Sequence, residues 1–253
     1  MTHVTEHFAS FDGTRLAFHT EGEGRPVLLL HGLFSSAQMN WIKWGHGARL
    51  AAAGFRAIML DFRVHGMSDA PRDASAYPPG VLVRDAAALA EHLALEPGGF
   101  DLVGFSLGAR TAIHAVGHGI LEPRRLAICG MGVAGLADWE RRADHFKRVI
   151  DEFDTIKPGD PAYTARTFLK SQGVDRVAAR LLLDAMDDFD LARLSDITMP
   201  TALICGIEDE DNGSAEELAA LLPDARYIAV PGGHLNSVTK PEFGEAIAGF
   251  LAA

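Results

Sequence analysis

The sequence predicts an α/β protein in which buried parallel strands alternate with helices. Short apolar runs recur along the 253-residue chain and are separated by longer stretches with helical periodicity. Within these runs apolar and polar residues do not alternate, which is typical of strands covered on both faces. One run is followed at once by Gly104-Phe105-Ser106-Leu107-Gly108, a G-x-S-x-G pattern that leads into a helix-forming stretch. Together these observations favour a doubly wound sheet with a serine at one of its strand ends.

The chain opens with an expected β-hairpin. Residues 7–11 and 16–19 flank the turn Asp12-Gly13-Thr14, whose composition suits a tight connection. Further strands are expected at the apolar runs, which occupy residues 27–30, 57–60, 100–103, 126–129, 201–205 and 227–230. Helices are expected between them, near residues 37–53, 81–95, 107–118, 214–222 and 241–252.

Residues 133–197 interrupt this alternation. They carry no strand-like run and are rich in charge, yet apolar residues recur at helical spacing, namely Leu136, Trp139, Phe146, Val149, Ile150 and Phe153. The segment falls between the sixth and seventh predicted strands, and Pro200 precedes the return to the sheet. We expect residues 133–197 to form a helical cap over a site, with residues 1–132 and 198–253 as the core domain. The alternative is that the apolar stripe simply enlarges the core.

Composition argues against several classes of protein. The chain has 34 acidic and 23 basic residues, and its net charge of -11 would repel nucleic acid or an anionic membrane. No apolar run approaches the roughly 20 residues of a membrane helix, and residues 1–6 lack the basic start of a signal peptide. We therefore expect a cytoplasmic monomer or homodimer that acts on a small molecule. Cys129 and Cys205 are expected to be reduced core residues.

Ser106 is the candidate nucleophile. The glycines on either side let the chain turn sharply from strand to helix, which exposes the hydroxyl beside the first helical N–H groups. A serine hydroxyl needs a base, usually a histidine that is oriented by a carboxylate. Because catalytic groups in doubly wound sheets gather at the carboxyl ends of strands, side chains that follow a strand are the best candidates.

The candidate base is His234. It follows the last predicted strand in Pro231-Gly232-Gly233-His234, where the glycines free the backbone to present an imidazole. His114 and His118 lie on the helix after Ser106 and are expected to pack or to face solvent.

The acid is expected after the strand that ends at Cys205. Four carboxylates follow it in Glu208-Asp209-Glu210-Asp211, and spacing alone does not choose between them. Asp209 is favoured and Asp211 is the alternative. An acid after the sixth strand is disfavoured, since the first carboxylate there is Asp138.

Acyl transfer also needs N–H donors aimed at the developing oxyanion. The expected donors are the backbone N–H groups of Leu107 and of Leu33, the latter in the loop His31-Gly32-Leu33-Phe34-Ser35-Ser36. His31 is expected to bond loop backbone. Aromatic and methionine side chains could line a substrate pocket or pack in the core: Phe34, Trp139 and Phe146 foremost, then Phe168, Met186 and Phe189.

The order Ser106, Asp209, His234, with His31-Gly32 after the third strand and residues 61–69 after the fourth, resembles the α/β-hydrolase fold superfamily over nearly the whole chain. The resemblance implies a mostly parallel eight-stranded sheet flanked by helices, a helical cap after strand six, a Ser-Asp-His triad and no cofactor. The His31-Gly32 loop is similar to the oxyanion loop of small bacterial carboxylesterases in this group.

Two positions depart from the superfamily pattern. Relatives usually carry R-G-x-G-x-S after the fourth strand, whereas Val64-His65 precedes Gly66 here, so the adjacent loop is expected to differ in shape. Relatives often carry E-x-P after the base, whereas this chain has residues 239–241, Thr-Lys-Pro. Both departures leave the subgroup open.

The function expected from these residues is hydrolysis of a carboxylic ester or lactone of a small to medium, largely apolar substrate through an acyl-enzyme on Ser106. The same triad would also serve a carbon–carbon bond hydrolase or a cofactor-free perhydrolase. A third hypothesis is a non-catalytic receptor that uses the pocket to bind a ligand. No metal is expected, because no paired His or Cys accompanies Asp209 and Asp211.

Overall fold

The structure is a computed structural model that describes residues 3–137 and 139–253. Met1, Thr2 and Asp138 lie outside the described residues. The sequence analysis used Met1 and Thr2 in arguing against a signal peptide, and Asp138 as a disfavoured acid. Both predictions therefore fall on residues that the structure does not describe.

A single mixed sheet forms the centre of the molecule. Its eight strands are β1 (Val4–Ala9), β2 (Arg15–Glu21), β3 (Arg25–Leu30), β4 (Phe55–Leu60), β5 (Asp101–Phe105), β6 (Leu126–Cys129), β7 (Thr201–Gly206) and β8 (Ala225–Val230). They lie in the order β1-β2-β4-β3-β5-β6-β7-β8. β2 pairs antiparallel with β1 and β4, and the remaining pairs are parallel. The predicted α/β fold with a mostly parallel eight-stranded sheet is confirmed.

Helices cover both faces of this sheet. They are α1 (His46–Ala52), α2 (Val81–His92), α3 (Leu107–Gly117), α4 (Trp139–Asp151), α5 (Tyr163–Ser171), α6 (Arg176–Asp184), α7 (Ala215–Ala220), α8 (His234–Ser237) and α9 (Pro241–Ala252). The helix expected over residues 37–53 is wrong as one unit. A π-helical turn, Gln38–Ile42, precedes α1, and Gly45 lies between them with a φ of 73°. A helix cannot continue through a left-handed residue.

The strand pleat divides the core into two layers. Leu28 and Leu30 of β3 face the layer that contains α2 and α3, whereas Leu29 faces the layer that contains α1 and α9. The two cysteines follow the same rule from neighbouring strands: Cys205 belongs to the first layer and Cys129 to the second. Both thiols are free and buried. Because they point to opposite faces, the sheet lies between them.

The segment between β6 and β7 is helical. It holds α4, α5 and α6 and two short 3₁₀ turns, Val133–Gly135 and Leu191–Asp196, and its described residues contain no strand. Its buried apolar residues join the layer beneath α2 and α3. Within the described part of the chain, no helix is both long enough and apolar enough to cross a membrane.

Candidate active site

The turn from β5 into α3 depends on two close approaches. A Cβ on Gly104 would lie 2.3 Å from the carbonyl oxygen of Gly108, and a Cβ on Gly108 would lie 2.1 Å from the carbonyl oxygen of Leu30. Only glycine fits at either position. Ser106 sits at the apex with a φ of 53° and a ψ of -112°, a conformation that L-residues adopt only under constraint.

The side chains of Ser106, His234 and Asp209 form a continuous chain of hydrogen bonds. His234 Nε2 lies 2.9 Å from Ser106 Oγ, and His234 Nδ1 lies 2.9 Å from Asp209 Oδ2. An ionised carboxylate only accepts, so it fixes the proton on Nδ1 and leaves Nε2 free to accept the serine proton. The Asp209 side chain is 2% exposed. The structure thus brings together the three residues predicted from the sequence.

Asp211, the alternative acid, has a different position. Its side chain is exposed, and its backbone N–H donates to Asp209 Oδ1 at 3.2 Å. Asp211 therefore helps to orient the carboxylate of Asp209, which is the one that bonds to His234. The geometry favours Asp209 in the role of the acid.

An aromatic ring supports the imidazole from the side. Phe105, the residue before Ser106, stacks on His234 with ring centroids 5.2 Å apart and an interplanar angle of 26°. Gly130 makes room for this pair, since a Cβ there would lie 2.7 Å from the Phe105 ring and 3.3 Å from His234 Cε1. Phe105 was not singled out from the sequence, because nothing in the G-x-S-x-G pattern shows what its variable residue contacts.

The two N–H groups expected to face an oxyanion lie beside Ser106. Leu107 is the first residue of α3, so its N–H has no acceptor within the helix. Leu33, Ser106 and Leu107 line one small cavity of about 30 Å³. The loop that carries Leu33 is held at Gly32, whose N–H donates to Asn40 Oδ1 at 2.9 Å.

His31 acts as a backbone brace in this loop, as the sequence suggested. Its Nδ1–H donates to the carbonyl oxygen of Gly32 at 2.8 Å, and its Nε2 accepts the N–H of Phe62 at 3.1 Å. Burial lowers the pKa of His31. The ring is therefore neutral at neutral pH, with one nitrogen donating and the other accepting.

His65 forms a second brace of the same kind. Its Nδ1–H donates to the carbonyl oxygen of Arg63 at 2.9 Å, and its Nε2 accepts the N–H of Phe34 at 3.1 Å. Burial lowers the pKa of His65 to about 3. The sequence showed Val64-His65 only as a departure from the superfamily pattern; it did not show that His65 reaches the neighbouring loop.

Asp61 ties the same two loops together from below. Its carboxylate accepts the N–H groups of Ala37 and Met67 at 2.8 and 2.9 Å and faces His19 Nε2 at 3.0 Å. Burial alone would raise the pKa of Asp61, but these hydrogen bonds, the one with His19 first, hold it below its usual value. Gly66 passes so close that a Cβ there would lie 2.2 Å from this carboxylate.

Val64, one of the departures from the superfamily pattern, lies in the left-handed region with a φ of 77°. For a β-branched side chain this is a true conformational outlier. Its side chain is nevertheless buried in the core, and its N–H donates to the carbonyl oxygen of Asp69 at 3.0 Å. The loop after β4 therefore keeps a tight turn although the residue there is not glycine.

A cavity of about 930 Å³ opens above Ser106 and His234. Among the aromatic residues proposed from the sequence, Phe34, Phe146 and Phe168 line this cavity. Trp139 lines the smaller cavity beside Leu107 instead. Met186 lines a separate small cavity, and Phe189 packs against His114 and His118.

Besides Phe146 and Phe168, α4 and α5 contribute polar residues to the wall of the large cavity. α4 contributes Arg141, Arg142 and His145, and α5 contributes a row of hydroxyl groups from Tyr163, Thr164, Thr167 and Ser171. Sequence reasoning missed these residues. It followed the apolar stripe of the segment, and a polar helix face is ordinarily the face turned to solvent.

Arg110 connects the serine-bearing helix to the segment between β6 and β7. It is 3% exposed, and its guanidinium donates to the carbonyl oxygens of Gly135 and Leu136, at 2.6 and 3.0 Å, and to that of Asp187. Burial lowers the pKa of Arg110 to about 10. Both ends of the segment are thereby bound to α3, about one helical turn after Ser106.

One group of described residues offers metal-ligating atoms close together. Ligand atoms of Asp209, Asp211 and His234 lie within 4.8 Å of one another. Two of these residues already share a hydrogen bond, and exposed acidic groups often cluster without an ion. The cluster does not by itself indicate a metal site.

Comparison with known proteins assigns the family. A family model described as the alpha/beta hydrolase family matches residues 27–244. The chain belongs to this family. The family match agrees with the resemblance seen in the sequence and with the eight-stranded sheet.

Members of this family with known names differ in their reactions. The chain is 34% identical over 131 residues to an epoxide hydrolase of Caballeronia sordidicola, a match that covers 51% of this chain and 37% of that protein. It is 25% identical to a putative 2-succinyl-6-hydroxy-2,4-cyclohexadiene-1-carboxylate synthase of Bacillus subtilis, over 96% of each chain. An esterase from Exiguobacterium antarcticum has the same fold, with a TM-score of 0.73 and 21% identity over 98% of this chain and 99% of that one.

Proposed function

We propose that this alpha/beta hydrolase cleaves carboxylic esters or lactones through an acyl-enzyme on Ser106. The observation that carries the proposal is the unbroken chain from Asp209 through His234 to Ser106, with both links at 2.9 Å, at a strained junction of strand and helix. A serine so placed is exposed to substrate and has its base already in contact.

The proposed reaction has two halves. In the first, His234 Nε2 takes the proton of Ser106 Oγ as the oxygen attacks the ester carbonyl carbon, and the N–H groups of Leu33 and Leu107 stabilise the oxyanion. Collapse of this intermediate breaks the ester bond, and the leaving alcohol takes the proton from His234. In the second, His234 removes a proton from water as the water attacks the acyl-enzyme. The carboxylic acid is then released while His234 returns the proton to Ser106 Oγ. Asp209 holds the imidazole in the tautomer that both halves need.

The cavity supports a small to medium substrate. A volume of about 930 Å³ lies in the range of small-molecule sites, and Phe34, Phe146 and Phe168 supply apolar wall. Residues 133–197 would act as the cap in this scheme, since α4 and α5 form the wall that faces the core domain across the cavity.

The nucleophile also separates this chain from the epoxide reaction of some relatives. A serine oxygen that opened an epoxide would form an ether, and no group beside Ser106 would release an ether by attack of water. An acyl-enzyme, in contrast, is hydrolysed by the same base that formed it. We therefore assign carbonyl chemistry to Ser106.

Hydrolysis of a p-nitrophenyl ester series from acetate to laurate tests the proposal. We expect turnover with an optimum in chain length, labelling by a fluorophosphonate probe, and loss of both in Ser106→Ala. Ser195→Ala, in which an exposed serine of the segment is replaced, is the matched control and should behave like the wild type. Absence of ester turnover and of labelling would reject the proposal; activity on a vinylogous diketone, or on acetate with peroxide, would then assign the same residues to carbon–carbon hydrolysis or perhydrolysis.

A further inference from the structure

Arg142 is a half-buried cation that forms no salt bridge with a carboxylate of the described residues. Its Nη1 donates to the backbone carbonyl oxygen of Asp211 at 2.7 Å, and its Nε is buried without a hydrogen-bond acceptor. Among the described residues it forms no ion pair, whereas Arg63 faces two aspartates and Arg148 faces Asp160. Burial lowers the pKa of Arg142, although the nearby carboxylates of Asp211 and Asp209 act in the opposite direction. A charge taken out of water in this way is normally compensated.

The position of Arg142 indicates where a group that compensates its charge would lie. Arg142 lines both the large cavity and the small one, and Ser106 lines both as well. The missing partner would therefore lie beside the reacting atoms and not in solvent. Nη1 already binds Asp211 and Nε is enclosed by protein atoms, so Nη2, for which the described residues supply no acceptor, is the donor left for a ligand carboxylate.

The charge of the cavity wall is opposite to that of the molecule. The whole chain carries 34 acidic and 23 basic residues. The lining of the large cavity includes Arg141, Arg142 and His145 of α4 but Asp211 as its one Asp or Glu. With basic residues outnumbering Asp211 in the lining, the cavity attracts anions although the protein as a whole is acidic.

We propose that the substrate carries a carboxylate and that Arg142 binds it. This inference rests on the proposed function and narrows it: the substrate class becomes a monoester of a dicarboxylic acid, or an ester or lactone with a carboxylate near the cleaved bond. The apolar wall at Phe34 and Phe168 holds the carbon skeleton, and the contact with Arg142 Nη2 fixes the distance between the carboxylate and Ser106.

Matched substrate pairs test the proposal. Monoethyl glutarate and ethyl pentanoate share a five-carbon acyl chain and differ in the terminal carboxylate, so their relative kcat/KM in a pH-stat reports recognition of an acyl-side anion. 4-Carboxyphenyl acetate and 4-methylphenyl acetate form the equivalent pair for the leaving alcohol. We expect the anionic member to be preferred by about tenfold or more in one pair, the range of a hydrogen bond between charged groups. Arg142→Gln should reduce the preference to about one.

Two further variants separate recognition from structural support. Arg148→Gln removes a cation from the same helix that does not line the cavity and should leave the preference unchanged. Arg142→Lys keeps the charge but changes the position of the donor, and should retain only part of the preference. If Arg142→Gln lowered kcat/KM equally for both members of a pair, Arg142 would only clasp Asp211 and the proposal would be wrong. A wild-type preference for the neutral member in both pairs would also overturn it.

Binding without turnover distinguishes this inference from the proposed function. Calorimetry with glutarate on Ser106→Ala should show binding that is lost when Arg142→Gln is added. A protein that binds glutarate through Arg142 but hydrolyses no ester would retain the anion site and lose the esterase assignment. A protein that hydrolyses esters without any preference for the anionic substrates would retain the esterase assignment and lose the anion site.

Discussion

His65 accepts the backbone N–H of Phe34 through its Nε2 at 3.1 Å, so the loop after β4 holds the loop after β3. In the loop after β3, the residue before Phe34 is Leu33, whose N–H is a proposed oxyanion donor. The contact makes His65 a positioning residue: it touches neither substrate nor Ser106, but it fixes the backbone next to the donor.

Replacing His65 by alanine should lower kcat for ester hydrolysis by about tenfold or more while KM changes little, because the oxyanion contact is made chiefly in the transition state. His65→Gln restores a possible acceptor for Phe34 and should recover part of the loss. Steady-state kinetics of both variants, with the exposed His118→Ala as control, measure the effect. An increase in KM alone would show that His65 shapes the pocket instead.

The buried neutral state of His65 also predicts a pH dependence of stability. Its pKa falls from 6.5 to about 3 in the folded protein, so the unfolded chain binds the extra proton first as the pH decreases. The contribution to stability is complete above pH 6.5 and is lost progressively between pH 6.5 and 3, at about 1.4 kcal/mol per pH unit. Urea unfolding at pH 7.5, 6 and 5 should show a shallower decrease for His65→Gln than for the wild type. Equal slopes would contradict the assignment.

Two glycine substitutions should have opposite effects on stability. In Gly66→Ala the new Cβ would lie 2.2 Å from the Asp61 carboxylate at a φ of 58°, so we expect a loss of about 2 kcal/mol or more. In Gly249→Ala, on α9, the Cβ meets no atom within 4 Å, and helix propensity predicts a gain of about 0.5–1 kcal/mol. Chemical denaturation of both variants measures the two changes. If Gly66→Ala left the free energy of unfolding unchanged, the turn after β4 would have more room beside Asp61 than the 2.2 Å distance indicates.

Asp209 and Asp211 can be separated by the matched substitutions to asparagine. Asp209→Asn should lower kcat by about 10³–10⁴, because an amide no longer fixes the proton on His234 Nδ1. Asp211→Asn keeps the backbone N–H that bonds Asp209, so its kcat should stay within a few-fold of the wild type. Single-turnover rates on one activated ester compare the two. The reverse ranking would assign the role of acid to Asp211.

The parts of this fold that were predicted correctly have local causes. The strands follow from short apolar runs, and the strand–helix turn at Ser106 follows from glycines at positions 104 and 108 that have no room for a Cβ. The eight-stranded, mostly parallel sheet was implied by the superfamily resemblance. The order of its strands was not predicted, because pairing joins residues far apart in sequence. The helix predicted over residues 37–53 was wrong because the periodicity continues across Gly45, whereas the backbone does not.

In the candidate site, the missed residues are those whose roles depend on distant contacts. His65 braces a loop 31 residues away, and Arg142 contacts a backbone carbonyl 69 residues away. Phe105 supports His234 only because β5 and α8 meet at the same edge of the sheet. Sequence spacing indicates which residue types follow a strand, but not which side chains the fold brings together. Ser106 and His234, in contrast, could be selected from strand ends alone, whereas the choice between Asp209 and Asp211 could not.

The attachment made by Arg110 sets the boundaries within which parts of this molecule can be exchanged. Its guanidinium binds residues 135 and 136 at one end of the segment between β6 and β7 and residue 187 at the other end. These two stems are therefore fixed to α3, the helix that follows Ser106. A chimera that replaces residues 139–184 with the equivalent helices of another family member should keep the serine in place and acquire a new specificity. A chimera with junctions outside residues 135 and 187 would replace the stems whose backbone carbonyls bind Arg110. Where the new stems place no carbonyl there, the buried guanidinium loses acceptors and the helix that carries Ser106 is disturbed.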